Sequence, residues 1–396
     1  MAVAQAHAAR AATVSPPTVV VLHSTFAWLP ITETWIYGQL ASAGPRVRSV
    51  VVAESRVRSD APRLDRLFVA DDERIRYARD RLLRKTRIRR HLSVLARAHH
   101  EQRPDVLHSH FAHVGWGNAE FARRHGLPHV VSAYGADLTM LPTIEPVWRR
   151  RYHELFAGVS ALLCEGPQMA ETAVALGCPA ERVRIHGLGV DLGRIPFRPR
   201  MRQSGQPLRV LMAGSFREKK GIPYGIEALT LLQQSGIEVE LTLVGNVTRD
   251  RDEAEWLRIR AALSGFSHTA RLLGFMSSGA LLEESLRHHV FLSPSVTASD
   301  GDAEGGAPVT VIEMAASGMP VVATTHCDIP NVLGEPNRTL LVPERDPQAL
   351  AGALETLTKS DWCELVSANR VLVERNHDLA RQSARLEQLY REAVSG

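Results

Sequence analysis

Two short segments in the second half of the 396-residue chain bring together side chains suited to a ligand rich in phosphate and hydroxyl groups. The first is Gly214-Ser-Phe-Arg-Glu-Lys-Lys-Gly221, between an apolar run and a helical pattern that begins near Pro223. Backbone amides and a helix dipole at such a turn attract anions. The chain has only four lysines, and two of them, Lys219 and Lys220, stand together here. A compact ammonium is a good point-charge partner for phosphate oxygens. The plainer reading is a solvated turn with incidental charges.

The second segment runs from Asp300 to Gly318. Gly305 and Gly306 permit a turn in which backbone approaches a ligand closely, and Pro308 suits the first helical position, where its missing N–H would be unpaired anyway. Glu304 lies in the turn and Glu313 about one and a half turns into the helix, so the two carboxylates reach different parts of one extended ligand. Carboxylates accept from hydroxyls, and sugars offer vicinal hydroxyls. Taken singly, the same glutamates read as a helix-terminus charge and a surface carboxylate.

The elements around these segments alternate short β-branched runs with longer helical patterns, which predicts βαβ units and a mainly parallel sheet. Candidate strands are 18–22, 47–53, 106–109, 128–132, 161–164 and 183–186, then 208–213, 238–244, 271–275, 290–293, 320–324 and 339–342. The proline- and arginine-rich stretch 191–207 reads as a linker. The expected organisation is a tail over 1–17, a domain over 18–190, the linker, a domain over 208–375, and a C-terminal helical segment over 376–396 that crosses back to the first domain. Two Rossmann-like, doubly wound α/β domains then face each other across a cleft, with ligands at the carboxyl ends of the strands.

Composition is that of a folded soluble protein, with 44% hydrophobic and 23% charged residues and a net charge of +4. Cys164, Cys178, Cys327 and Cys363 are scattered and form no CxxC pair, which fits a reducing cytoplasm. No run of eighteen apolar residues predicts a membrane span, and the alanine-rich first seventeen residues, interrupted by His7, Arg10 and Ser15, do not form a signal-peptide core.

The order Gly-Ser-Phe-Arg-Glu-Lys-Lys-Gly, then Leu-Leu-Gly-Phe at 272–275, then Glu304 through Glu313 with Ala-Ala-Ser-Gly-Met-Pro-Val-Val, resembles the retaining family 4 glycosyltransferases of the GT-B fold. Leu29-Pro-Ile-Thr-Glu-Thr-Trp-Ile36 is similar to a segment of the colanic acid and exopolysaccharide branch, and His108-Ser-His-Phe111 matches a recurrent family segment. The resemblance implies that Lys220 contacts a donor diphosphate, Glu304 the transferred sugar, and Glu313 the ribose hydroxyls. It implies further that amides near Pro308, Val309 and Thr310 meet phosphate oxygens, and that Ser215, Leu273, Gly274, Gly305 and Gly306 border the donor. Glu33, Thr34, His110, Tyr134 and Asp137 fall on the acceptor side. Three departures stand out. Ser215 replaces the arginine usual after the first glycine, leaving Arg217 as its candidate substitute. Glu304 and Glu313 are nine apart rather than eight. Tyr134 replaces a histidine. Transfer of this kind needs neither cofactor nor metal, only the nucleotide-sugar donor and a glycan or lipid-linked acceptor; no nucleic acid partner is expected.

Other signals point elsewhere. Gly187-Leu-Gly-Val-Asp-Leu-Gly193 looks like a dinucleotide fingerprint, but its third glycine is displaced and a linker follows. His108, His110 and His113 end a buried strand with no carboxylate at matching spacing, so they read as core or cleft histidines, with His110 lining the acceptor pocket. Arg74, Arg76, Arg79, Arg81, Arg84, Lys85, Arg87, Arg89 and Arg90 crowd one stretch. Either they coat a solvated helix or they meet anionic lipid headgroups, and Ile75, Leu82, Leu83 and Ile88 among them could instead pack on the sheet. A nucleotide-sugar epimerase of the same fold, and a non-catalytic nucleotide-sugar binder, remain open beside transfer.

Overall fold

The computed structural model describes residues 18–28, 34–57, 66–86, 88–266 and 269–396. The first half builds seven strands: β1 (Val19–Trp28), β2 (Val47–Arg56), β3 (Leu67–Val69), β4 (Val106–His110), β5 (His129–Ser132), β6 (Ala161–Cys164) and β7 (Val183–Ile185). The second builds six: β8 (Leu208–Ala213), β9 (Val239–Val244), β10 (Ala270–Leu273), β11 (Val290–Ser293), β12 (Val321–Thr324) and β13 (Leu341–Val342). Both sheets are parallel, in the orders β3-β2-β1-β4-β5-β6-β7 and β10-β9-β8-β11-β12-β13. Each reverses direction beside its first strand, which is where ligands bind in doubly wound sheets. The central strands are almost continuously buried, as parallel strands covered on both faces must be.

The three-residue β3 is too short to carry a period and was not foreseen. β10 stops at Leu273, short of 275, and 335–340 curls into a 3₁₀ turn that trims β13. Gly187–Gly193 is a crossing between domains rather than a cradle. Val190 N–H donates to His377 O at 2.8 Å, Leu379 N–H donates to Val190 O at 3.0 Å, and the Asp191 carboxylate accepts from Gly193 N–H.

The final helix, Leu379–Ser395, packs on the first sheet, where Leu386 and Tyr390 join Val19, Val21, Val106, Val130, Ala161 and Leu163. The β1–β4 register sets His23 beside His108, and the period of two puts His110 on the same face. Tyr390 Oη closes this face at 2.7 Å from His108 Nδ1. No described helix is long and apolar enough to cross a membrane.

Tyr390→Phe should therefore leave a fully buried imidazole nitrogen without its partner, at a cost of about 1–3 kcal/mol. Urea titration should show a lower midpoint with an unchanged slope. A loss of unfolding free energy of only about a few tenths of a kcal/mol would mean that the bond holds nothing together.

Candidate active site

After β8 the chain makes a 3₁₀ turn, Glu218–Lys220, and enters the helix Ile222–Gln234. Gly221, at φ +60°, separates turn from helix, and a Cβ there would lie 1.8 Å from the Pro294 carbonyl oxygen. Only glycine fits. The two lysines then have different surroundings. Lys219 is buried, donates to the Ala303 carbonyl at 2.9 Å and lies 3.3 Å from Asp302. Burial pulls it down to about 8, still charged near neutrality. Lys220 Nζ meets Glu304 Oε1 at 2.7 Å and stays 18% exposed. Arg217, the candidate substitute for the missing loop arginine, is paired with Asp302, and burial brings it down to about 10. The ion pairs of Arg217 and Lys219 thus fasten the second loop to the first. Ser215 is half-buried in the first loop, its carbonyl accepting from Arg217 N–H.

Glu304 is 6% exposed. Burial alone would push its carboxyl up, but Lys220 and then Lys219 overcome this and hold it well below the ordinary range. Its backbone N–H donates to His326 Nε2 at 3.1 Å. Pro308 is the N-cap of the helix Val309–Ala316, one position earlier than expected. No side chain caps the first turn, so amides at Val309 and Thr310 remain to serve an anion. Glu313 accepts from Ser278 Oγ at 2.7 Å, and burial raises its pKa. Leu273 ends β10 and Gly274 beside it is open, with nothing within 4 Å of a Cβ built there.

The glycine turn does something the sequence did not suggest. A Cβ on Gly305 would come 2.4 Å from Gly135 Cα, and one on Gly306 would come 2.3 Å from Glu165 Oε2. The turn is pressed against the first domain. Asp328 strengthens the same seam: its Oδ1 accepts from Gln168 N–H at 3.0 Å, at the start of the helix Pro167–Ala175.

On the first-domain side, Tyr134 gathers an aromatic wall with Phe111 and Trp35, at centroid distances of 4.9 and 5.9 Å. Asp137 is not presented to a ligand. It is buried and accepts from Ala112 N–H at 2.7 Å and Tyr134 N–H at 3.0 Å, fixing the helix Ala112–Arg124 and the turn that holds Tyr134. His110 has no exposed surface and lies beneath Tyr134, 2.7 Å from its hydroxyl, so it does not line a pocket directly. Glu33 is outside the described residues, and Thr34 opens the helix Thr34–Ala41.

His23, His108 and His110 crowd closely enough to suggest a metal site. Five of their six ring nitrogens are already engaged: His23 Nδ1 with His110 Nε2, His110 Nδ1 with Tyr134, and His108 with Tyr390 and Ser132. His23 Nε2 is the sixth. Burial keeps all three rings neutral, with His110 down to about 3. The set fits a hydrogen-bonded core better than a metal. Asp302, Ser278, Glu165 and Asp328 were not picked out from the sequence. Only Asp302 had a signal, since an arginine in a sheltered loop calls for a counter-charge.

Two doubly wound domains that meet at their carboxyl edges, with a cationic loop and an uncapped helix start at the seam, define the GT-B fold. Solved structures share it: HepE of Anabaena, in complex with UDP, superposes at TM-score 0.72 with 13% identity over 95% of this chain and all of that one. Residues 34–189 match the "Glycosyl transferase 4-like domain" and residues 207–360 the "Glycosyl transferases group 1" domain. The chain belongs to the family 4 glycosyltransferases. Among its relatives, the amylovoran biosynthesis glycosyltransferase AmsK of Erwinia amylovora is 33% identical over 61% of this chain and 58% of its own length. WcaL of Escherichia coli, named for colanic acid biosynthesis, is 29% identical over 71% of this chain and 68% of its own.

The depressed Glu304 fixes a sign for stability. A carboxylate whose folded-state pKa lies below its unfolded value contributes fully above the ordinary glutamate value of 4.5 and loses that contribution as pH falls through the folded value. Glu304→Gln removes the anion that faces Lys220 and one of the two that face Lys219, and should destabilise the fold by about 3 kcal/mol near neutrality. Unfolding titrations should show the gap between wild type and variant closing as pH drops below 4.5. A gap that stays constant into strong acid would contradict the pairing.

Proposed function

We propose that this chain is a retaining glycosyltransferase that moves a sugar from a nucleoside diphosphate donor to a hydroxyl of a glycan or lipid-linked acceptor in cytoplasmic exopolysaccharide assembly. The observation that carries this reading is the Lys220–Glu304 pair in the loop that leads into the uncapped start of Val309–Ala316. An ammonium has three N–H donors; one engages Glu304, and the others suit diphosphate oxygens. Firmly ionised, Glu304 can only accept, which suits hydroxyls of the transferred sugar. Glu313, oriented by Ser278, suits the ribose diol. The aromatic wall of Trp35, Phe111 and Tyr134 suits the apolar face of an acceptor sugar. The UDP complex of HepE supports a nucleoside diphosphate, and the names of AmsK and WcaL support an exopolysaccharide setting.

In this reading the bond from the anomeric carbon to phosphate breaks as the acceptor oxygen attacks from the same face. The acceptor proton passes to the departing diphosphate. No protein base is needed. Lys220 and the amides of Val309 and Thr310 stabilise the charge that develops on the leaving group, usually the largest catalytic contribution.

Lys220→Ala should lower kcat about a hundredfold or more. Glu313→Gln should chiefly raise the donor KM, because ribose contacts are much the same in ground and transition states. Transfer and hydrolysis screened across a panel of nucleotide sugars, with donor alone as the control for epimerisation, measures both. Full turnover in Lys220→Ala, or a kcat loss without a KM change in Glu313→Gln, would refute the assigned roles.

A further inference from the structure

The helix Arg74–Lys85 leaves part of its apolar surface facing away from the first domain. A surface helix normally turns its apolar stripe to the core. Here the buried residue is Asp80, while Ile75 and Leu82 are 89% and 60% exposed, and Ile88 just beyond is 74% exposed. Tyr77, partly buried, packs against the core, and polar contacts hold the rest of the helix down. Tyr77 Oη donates to Glu54 Oε1 at 2.8 Å, and Arg84 to Glu54 Oε2 at 2.7 Å. Asp80 accepts from Ser93 N–H and Oγ, both at 2.7 Å, and pairs with Arg89.

Ile75 and Leu82 are seven residues apart, about two turns, and so share a side of the helix. Around them Arg74, Arg79, Arg81 and Lys85 are exposed and form no ion pair among the described residues, whereas Arg76 and Arg84 are bound to Glu73 and Glu54. The helix is tied to the carboxyl-terminal part of β2, where Glu54 lies two residues before the last, Arg56.

We propose that this helix docks the first domain on an anionic lipid bilayer. Ile75 and Leu82 enter the boundary between headgroups and acyl chains, and the four unpaired cations rest among the anionic headgroups. Bare apolar side chains interleaved with unpaired cations match that boundary in both polarity and charge. Each engaged cation strengthens attachment roughly fivefold, so four give reversible binding without a covalent anchor. Docking rests on the first domain alone and is independent of the chemistry proposed for the cleft.

Co-sedimentation of the full chain with phosphatidylcholine vesicles and with equimolar phosphatidylcholine–phosphatidylglycerol vesicles provides the test. Binding should appear with the anionic vesicles only and weaken with salt. Ile75→Ser with Leu82→Ser should weaken it at least about tenfold at constant salt. Arg74→Gln, Arg79→Gln and Arg81→Gln together should weaken it about a hundredfold. These positions are exposed, so circular dichroism and the unfolding midpoint should stay at wild-type values. Absence of binding at low salt, equal binding to both vesicle types, or undiminished binding of the serine variant would overturn the proposal. So would a serine variant that changes only the oligomeric state of the free protein, since the face would then join copies of this chain.

Discussion

The cleft depends on keeping the Glu304 carboxyl ionised although it is almost out of water. An isolated carboxylate in that position would take up a proton. Two lysines from the preceding loop prevent this, and they are not equivalent. Lys219 is sealed between the loops, while Lys220 keeps part of its side chain open. With Arg217 against Asp302, the two loops form one ionic unit of three cations and two anions, with one positive charge in surplus. The same contacts that hold the loops in place also set the electrostatics of the site.

That unit is built at the seam between the domains. Gly135 and Gly305 let backbone meet backbone, and Asp328 reaches across to cap a helix of the opposite domain. Behind the seam the final helix returns to the first sheet and closes over a row of neutral histidines beneath Tyr134. Tyr134 is therefore held from below by His110 and at its backbone by Asp137, two residues that shape the site without facing a ligand.

Much of the scaffold was legible because buried parallel strands are written as β-branched runs. β6, β8 and β11 have the bounds read from the sequence alone, while the three-residue β3 carried too little pattern to be seen. The setting of Lys220 and Glu304 in glycine-bounded turns, and of Glu313 on the helix that follows, was legible. Their partners were not, because Ser278 with Glu313 and Asp328 with Gln168 are pairs that only tertiary packing creates. For the same reason the sequence left open which way Ile75 and Leu82 point; Asp80 settles it by tying the polar side of the helix inward.

Calorimetric titration of nucleoside diphosphates into wild type and Lys220→Ala tests the central claim most directly, since it reads the anion site without requiring the acceptor. The account predicts measurable affinity for at least one nucleoside diphosphate and, on loss of one preorganised charge, weakening by roughly tenfold or more, in line with about 1.5–3 kcal/mol for a hydrogen bond to a charged group. Equal affinity in the two proteins would contradict it.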